Sequence, residues 1–155
     1  MQEQSNVINI VSEISVTFTP SLPPSQCPKI SSPKEAHDLF RSNWNMDTFY
    51  LQEELKVMFL DHSLHVMGIM TICTGSKTTC NCDLPKLFGA ALKASCTKFI
   101  LAHNHPSGCM KASTADINLT KKVTEGCRLL DLQLLDHQIL GDDGYLSMAD
   151  EGLLL

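Results

Sequence analysis

Lys98-Phe99-Ile100-Leu101-Ala102-His103-Asn104-His105-Pro106-Ser107-Gly108 is the stretch on which the reading of this chain turns. Its first five residues, apolar after the lysine, predict a short buried strand that delivers the chain directly into His103. On an extended segment residues i and i+2 point the same way, with Cα atoms about 6.6 Å apart. His103 and His105 can therefore converge on one ion while Asn104 faces elsewhere. Pro106 and Gly108 then bend the chain back, and a helix starting at Ser113 brings Asp116, eleven positions after His105, to the same place. Two imidazoles and one carboxylate can hold zinc and leave its fourth position open, which is the arrangement of a hydrolytic rather than a structural site. A water in that position would have its pKa lowered toward about 7.

Ser113 and Asp116 also have a plainer reading, because S-x-x-D is itself a helix start with serine as N-cap and an acid in the first turn. The two readings do not exclude each other. A metal-activated water needs a base, and the nearest suitable carboxylates are Glu53 and Glu54 at the start of the first core strand. Glu53 shares a face with Leu55, Val57 and Phe59, and Glu54 shares the other with Lys56 and Met58. The core-lined side favours Glu53.

Outward from this centre, strands and helices alternate. Residues 55–60 and 65–73 read as a strand pair, Asp83 and Ser113 open helices, and residues 132–140 form a further strand before the Gly141–Gly144 turn. Ser32-Pro33-Lys34-Glu35 predicts an earlier helix, reaching Trp44, with serine as N-cap and glutamate closing a capping box. The pattern is that of a mixed α/β fold, with helices flanking a curved mixed sheet. Before it, residues 7–18 alternate like an extended arm or edge strand, and Pro20, Pro23, Pro24 and Pro28 make a linker in which neither helix nor central strand can form. The compact domain is thus expected over 29–155, with 1–28 as arm and linker.

With 155 residues and 43% hydrophobic content, one ordinary domain is expected. The net charge of −5 gives no global attraction to phosphate backbones or anionic membranes, so nucleic acid is not an expected partner. Apolar runs fall short of the roughly 20 residues a membrane span needs, and the polar start does not read as a signal peptide. A cytoplasmic location follows. Seven cysteines at scattered spacings fit reduced thiols, most of them small core residues, better than a disulfide framework. Cys80-Asn81-Cys82 lacks thiolate-site spacing, and Cys109 falls inside the histidine loop. His137 reads either as a neighbour of the metal site or as half of a buried pair with Asp136. His37, on an exposed helix face, and His62 and His65, in a strand connection, carry no assigned chemistry.

These residues resemble the JAB/MPN metalloproteases, and among them the RadC-like proteins. The JAMM signature, an upstream Glu, H-x-H, ten residues and Asp with Ser three before it, is met by Glu53, His103, His105, Ser113 and Asp116. The narrower RadC-like pattern is matched by Leu101 to Gly108, Ser113 to Asp116, Thr120, Leu134 to His137 and Ser147 to Gly152. The resemblance covers roughly residues 29–155 and implies a cytidine-deaminase-like architecture. It also implies a zinc-dependent metallopeptidase or isopeptidase-like hydrolase acting on a peptide or protein. His103, His105 and Asp116 would be the Zn2+ ligands, Glu53 the general base and Ser113 a donor to the developing oxyanion. The family alternatives are a noncatalytic metal-binding interaction module and a DNA-repair or mobile-element DNA-processing protein. The loop Cys109–Ala112 departs from the pattern by lacking its acidic or asparagine residue and its proline. In place of the helix-hairpin-helix module of longer relatives, this sequence shows a proline-linked arm.

Overall fold

A computed structural model describes Ser12 and residues 14–154. Five strands form one mixed sheet: β1 (Glu54–Leu60), β2 (Val66–Thr74), β3 (Lys98–Asn104), β4 (Gln133–Leu140) and β5 (Tyr145–Ser147). Their spatial order is β2-β1-β3-β4-β5, with β3 and β4 parallel and the other neighbours antiparallel. Three helices flank it: α1 (Pro33–Ser42), α2 (Leu84–Lys93) and α3 (Thr114–Leu129).

β1 is buried along its whole length because both of its faces are covered. Leu55, Val57 and Phe59 point to one side, where Leu87 and Ala91 of α2 and Val123 and Cys127 of α3 close over Phe99 and Leu101. Met58 and Leu60 point to the other, where Ala36 and Phe40 of α1 pack with Ile100, Ala102 and Leu140. The parallel β3–β4 pair needs a crossover, and α3 supplies it. The loop entering that crossover begins at the end of β3, so the histidine motif lies where a central strand stops and a helix starts.

Each helix opens on a side-chain cap: Ser32 Oγ accepts from the Glu35 N–H, Asp83 Oδ1 from Lys86 and Ser113 Oγ from Asp116. The capping box expected at α1 is shifted by one residue. Glu35 Oε2 accepts from the N–H of Ser31, not of Ser32, at 2.7 Å. α1 also stops at Ser42, two residues before Trp44, because Asn43 caps it by donating to Leu39 O. His37 is not on an exposed face: it is half-buried, its ring stacked 4.6 Å from that of Tyr145.

The arm expected over residues 7–18 lies partly outside the described residues. Its described part, Ser12 and Ile14 to Phe18, is exposed and forms no strand. Farther on, Pro28 O accepts from Val66 N and Leu64 O from Ile30 N, which seats the chain before α1 beside the start of β2. No described helix is long and apolar enough to cross a membrane.

The all-thiol reading of the cysteines is overturned. Cys73, near the end of β2, is joined to Cys80 by a disulfide. The segment between them folds back through a Ser76 N–H to Thr79 O bond, which brings their Cα atoms to 6.5 Å. A β-carbon on Gly75 would lie 1.9 Å from Thr79 O, so only glycine fits that turn. Cys27, Cys82, Cys96, Cys109 and Cys127 are free. Burial pushes the thiols of Cys82, Cys96 and Cys127 up to about 11, so these behave as apolar filler.

Candidate metal centre

β3 carries its pairing through Asn104, with His103 opposite Leu55 on one side and Ile139 on the other. His105 leaves the sheet one residue later, its N–H donating to Leu140 O at 3.0 Å. The chain then turns at Pro106–Gly108. Gly108 donates to His105 O at 2.9 Å and adopts φ +75°, and a β-carbon there would meet Asp142 Oδ2 at 2.4 Å. That return sets up the N-terminus of α3, where Ser113 and Asp116 form a full capping box. Ser113 Oγ accepts from Asp116 N and donates to Asp116 Oδ2 at 2.7 Å, and Ser113 N donates to the same oxygen at 2.7 Å. The cap fixes the Asp116 carboxylate, so the capping and ligand readings coexist in one geometry.

His103, His105 and Asp116 are the group of metal-binding type among the described residues. Their facing atoms are separated by 2.9 Å (His103 Nε2 to His105 Nε2), 3.2 Å (His103 Nε2 to Asp116 Oδ1) and 3.6 Å (His105 Nε2 to Asp116 Oδ2). Zinc–ligand bonds of about 2.0–2.1 Å arranged tetrahedrally require donors about 3.3–3.4 Å apart. The three separations bracket that edge length, so the donor set fits zinc in size as well as in chemistry.

The second nitrogen of each imidazole is engaged. His105 Nδ1 lies 2.7 Å from Cys109 O, which can only accept, so the Nδ1–H donates and Nε2 is free to ligate. Cys109 thus contributes through its main chain, with its thiol exposed. His103 Nδ1 lies 2.8 Å from His137 Nε2, and His137 Nδ1 lies 2.7 Å from Thr120 Oγ1. His137 is wholly buried, and that burial holds its pKa well below the usual histidine range, keeping the ring neutral. Of the two readings of His137, the neighbour of the metal site holds and the pair with Asp136 does not form through the ring: Asp136 Oδ1 accepts instead from the N–H groups of His137 and Ala149. Parallel register explains the outcome, since Leu101 stands opposite His137 and places it diagonally beside His103 on the same face. Nothing in the local sequence reveals that register.

Burial works against ionisation of Asp116, but hydrogen bonds from His103 and His105 prevail and hold its carboxyl far below the usual range. Bonding to Asp116 raises His105 in turn. Glu53 immediately precedes β1 and lines the same cleft, of about 380 Å³, with His105, Ser113, Asp116 and the Thr79–Asn81 segment. Partial burial raises its carboxyl above the ordinary value, against the pull of His103 and His105. Glu54 points away: its Oε2 lies 3.1 Å from Lys56 Nζ on the α1 side of the sheet. A larger groove of about 500 Å³ lies at the far end of β1 beside Asp61 and His65. Its apolar walls include Val16, Phe18 and Leu22, and none of the candidate ligands reaches it.

A sequence model of the family described as RadC-like JAB domain matches residues 30–153. The chain is 35% identical over 134 residues to a UPF0758 protein of Porphyromonas gingivalis, covering 86% of this chain and 59% of the relative. It is 36% identical over 126 residues to one of Clostridium botulinum, covering 81% and 54%. It is 39% identical over 124 residues to one of Staphylococcus carnosus, covering 80% and 54%. The chain thus spans little more than half the length of these curated relatives.

Proposed function

The chain belongs to the RadC-like JAB domain family, and from that premise we propose that it is a zinc-dependent metallopeptidase or isopeptidase-like hydrolase. The observation that carries the reading is the His103, His105 and Asp116 donor set at tetrahedral spacing, with Glu53 across the same cleft. Zinc, when bound, would supply the Lewis-acid charge that makes a water nucleophilic near neutral pH.

The remaining work falls to the chain's own side chains. Glu53 would take the proton from the attacking water and return it to the leaving nitrogen as the C–N bond breaks, leaving a carboxylic acid and an amine. Its raised pKa favours both transfers, since burial makes the carboxylate a stronger base that holds the proton it must then return. Ser113 would first orient Asp116 through their 2.7 Å hydrogen bond. Turned from that partner, its hydroxyl would donate to the developing oxyanion. The substrate we infer is a peptide or protein, met in the cytoplasm without a membrane or nucleic-acid partner. The cleft supports a peptide substrate, being lined by Ser107, Thr78, Thr79 and Asn81, groups that can bond a peptide main chain, with Lys77 as its basic residue.

A peptide-library cleavage profile with added zinc tests the proposal. Zinc at one equivalent, lost in the double variant His103→Ala/His105→Ala, together with cleavage that disappears in Glu53→Gln, is the expected result. Protein that takes up no zinc at micromolar concentration would overturn the enzymatic reading.

A further inference from the structure

We propose that His137 is a positioning residue that fixes the tautomer and ring orientation of His103, through a one-way hydrogen-bond chain that ends on the main chain of Asp116. This rests on the metal-site reading above and extends it to two residues that touch no substrate. Three contacts make the chain: His103 Nδ1 to His137 Nε2 at 2.8 Å, His137 Nδ1 to Thr120 Oγ1 at 2.7 Å, and Thr120 Oγ1 to Asp116 O at 2.7 Å.

Its direction follows from its last link. A main-chain oxygen can only accept, so the Thr120 hydroxyl gives its single proton to Asp116 O and must accept from His137 Nδ1. With Nδ1–H given to Thr120 and no carboxylate bonded to its wholly buried ring, His137 offers Nε2 to accept from His103 Nδ1–H. His103 is then left with a bare Nε2, the atom that faces His105 and Asp116. The reverse arrangement would put a proton on His103 Nε2 and block ligation. His137 and Thr120 are fully buried and His103 nearly so, which shields the links from competing water. The path also closes on itself: it starts at one ligand, His103, and ends at the carbonyl of another, Asp116. A metal-bound imidazole ordinarily donates its second N–H to a carboxylate, a carbonyl or water, whereas here a second imidazole takes that place.

The test compares wild type with His137→Leu, which keeps bulk but removes the acceptor, His137→Gln, whose amide oxygen can replace Nε2, and Thr120→Val. Zinc affinity is read by competition with a chromophoric chelator, and folding by circular dichroism. Relative to wild type, His137→Leu should bind zinc about 10- to 100-fold more weakly while folded, and Thr120→Val should weaken it by a smaller factor. His137→Gln should recover most of the loss. Nitrogen-15 NMR of zinc-loaded wild type should show the proton on His103 Nδ1, with coupling across the hydrogen bond to an unprotonated His137 Nε2, and this readout stands even if His137→Leu fails to fold. A proton on His137 Nε2, or a folded His137→Leu that binds zinc as tightly as wild type, would sink this inference and leave the metal site intact. Wild type that binds no zinc would sink both.

Discussion

Asn104 Oδ1 accepts the N–H of Glu54 at 2.7 Å, tying the middle residue of the histidine motif to the residue that follows the proposed base. The same side chain donates to Phe49 O at 2.7 Å and Gln52 O at 2.9 Å, and it is fully buried. The residue that faces away from the metal site therefore holds the segment that delivers Glu53 to it. Asn104→Leu would strand one N–H and two carbonyls in the interior, at a cost of about 3 kcal/mol. Urea unfolding should show this loss, with zinc affinity close to wild type. A variant as stable as the parent would mean that segment 49–54 is held by other contacts.

Glu53 and Glu54 should separate cleanly on mutation, because they face opposite sides of β1. Glu53→Gln should keep zinc at one equivalent and abolish turnover, with little change in stability. Glu54→Gln should leave Lys56 buried without its carboxylate, both side chains being only 10% exposed, and lower stability by about 3 kcal/mol. Lys56 retains Thr71 Oγ1 at 2.8 Å and the Trp44 ring, which limits the damage. Loss of turnover in Glu54→Gln with activity surviving in Glu53→Gln would reverse the assignment.

The contrast between these neighbours shows what was legible in the chain. Alternation along residues 53–60 separates Glu53 from Glu54, and i, i+2 spacing with a capped helix brings His103, His105 and Asp116 together, because each step depends on local geometry. His137 is different. Its contact with His103 depends on the parallel register of β3 and β4, which a 16-residue helix connects and no local pattern encodes. The Cys73–Cys80 pair escaped for a related reason: composition argued for thiols, whereas the turn at Gly75–Thr79 decides which sulfurs meet.

That turn leads to a third expectation. Glu53 N donates to Ser76 O at 2.8 Å and Gly75 N donates to Glu53 O at 2.7 Å, so the loop closed by the disulfide also grips the backbone of the proposed base. Cys80→Ser should cost about 2 kcal/mol of stability under oxidising conditions and nothing under reducing ones. Thiol titration of unfolded, unreduced protein should find five thiols, rising to seven with a dithiol reductant. Seven thiols before reduction would remove the crosslink from the account.

His37 supplies an acid-sensitive term on α1. Desolvation lowers its pKa from the usual 6.5, opposed by Asp38 and aided by Arg41 and Lys34, while Tyr145 stacks on the ring. Between the folded value and 6.5 the unfolded chain binds more protons than the native one, so stability rises with pH across that window. The contribution is complete above 6.5 and is lost as pH falls toward the folded value. Its buried Nδ1 has no partner among the described residues. His37→Phe keeps the stack on Tyr145 and removes both the proton and the unpaired nitrogen. It should gain about 1 kcal/mol at pH 7 and make stability fall less steeply from pH 6.5 downward. Some slope must persist, because buried His137 titrates in the same sense. Thermal unfolding of both proteins from pH 7.5 to 5 decides the matter: parallel curves would mean that the His37 ring is free to protonate in the folded state.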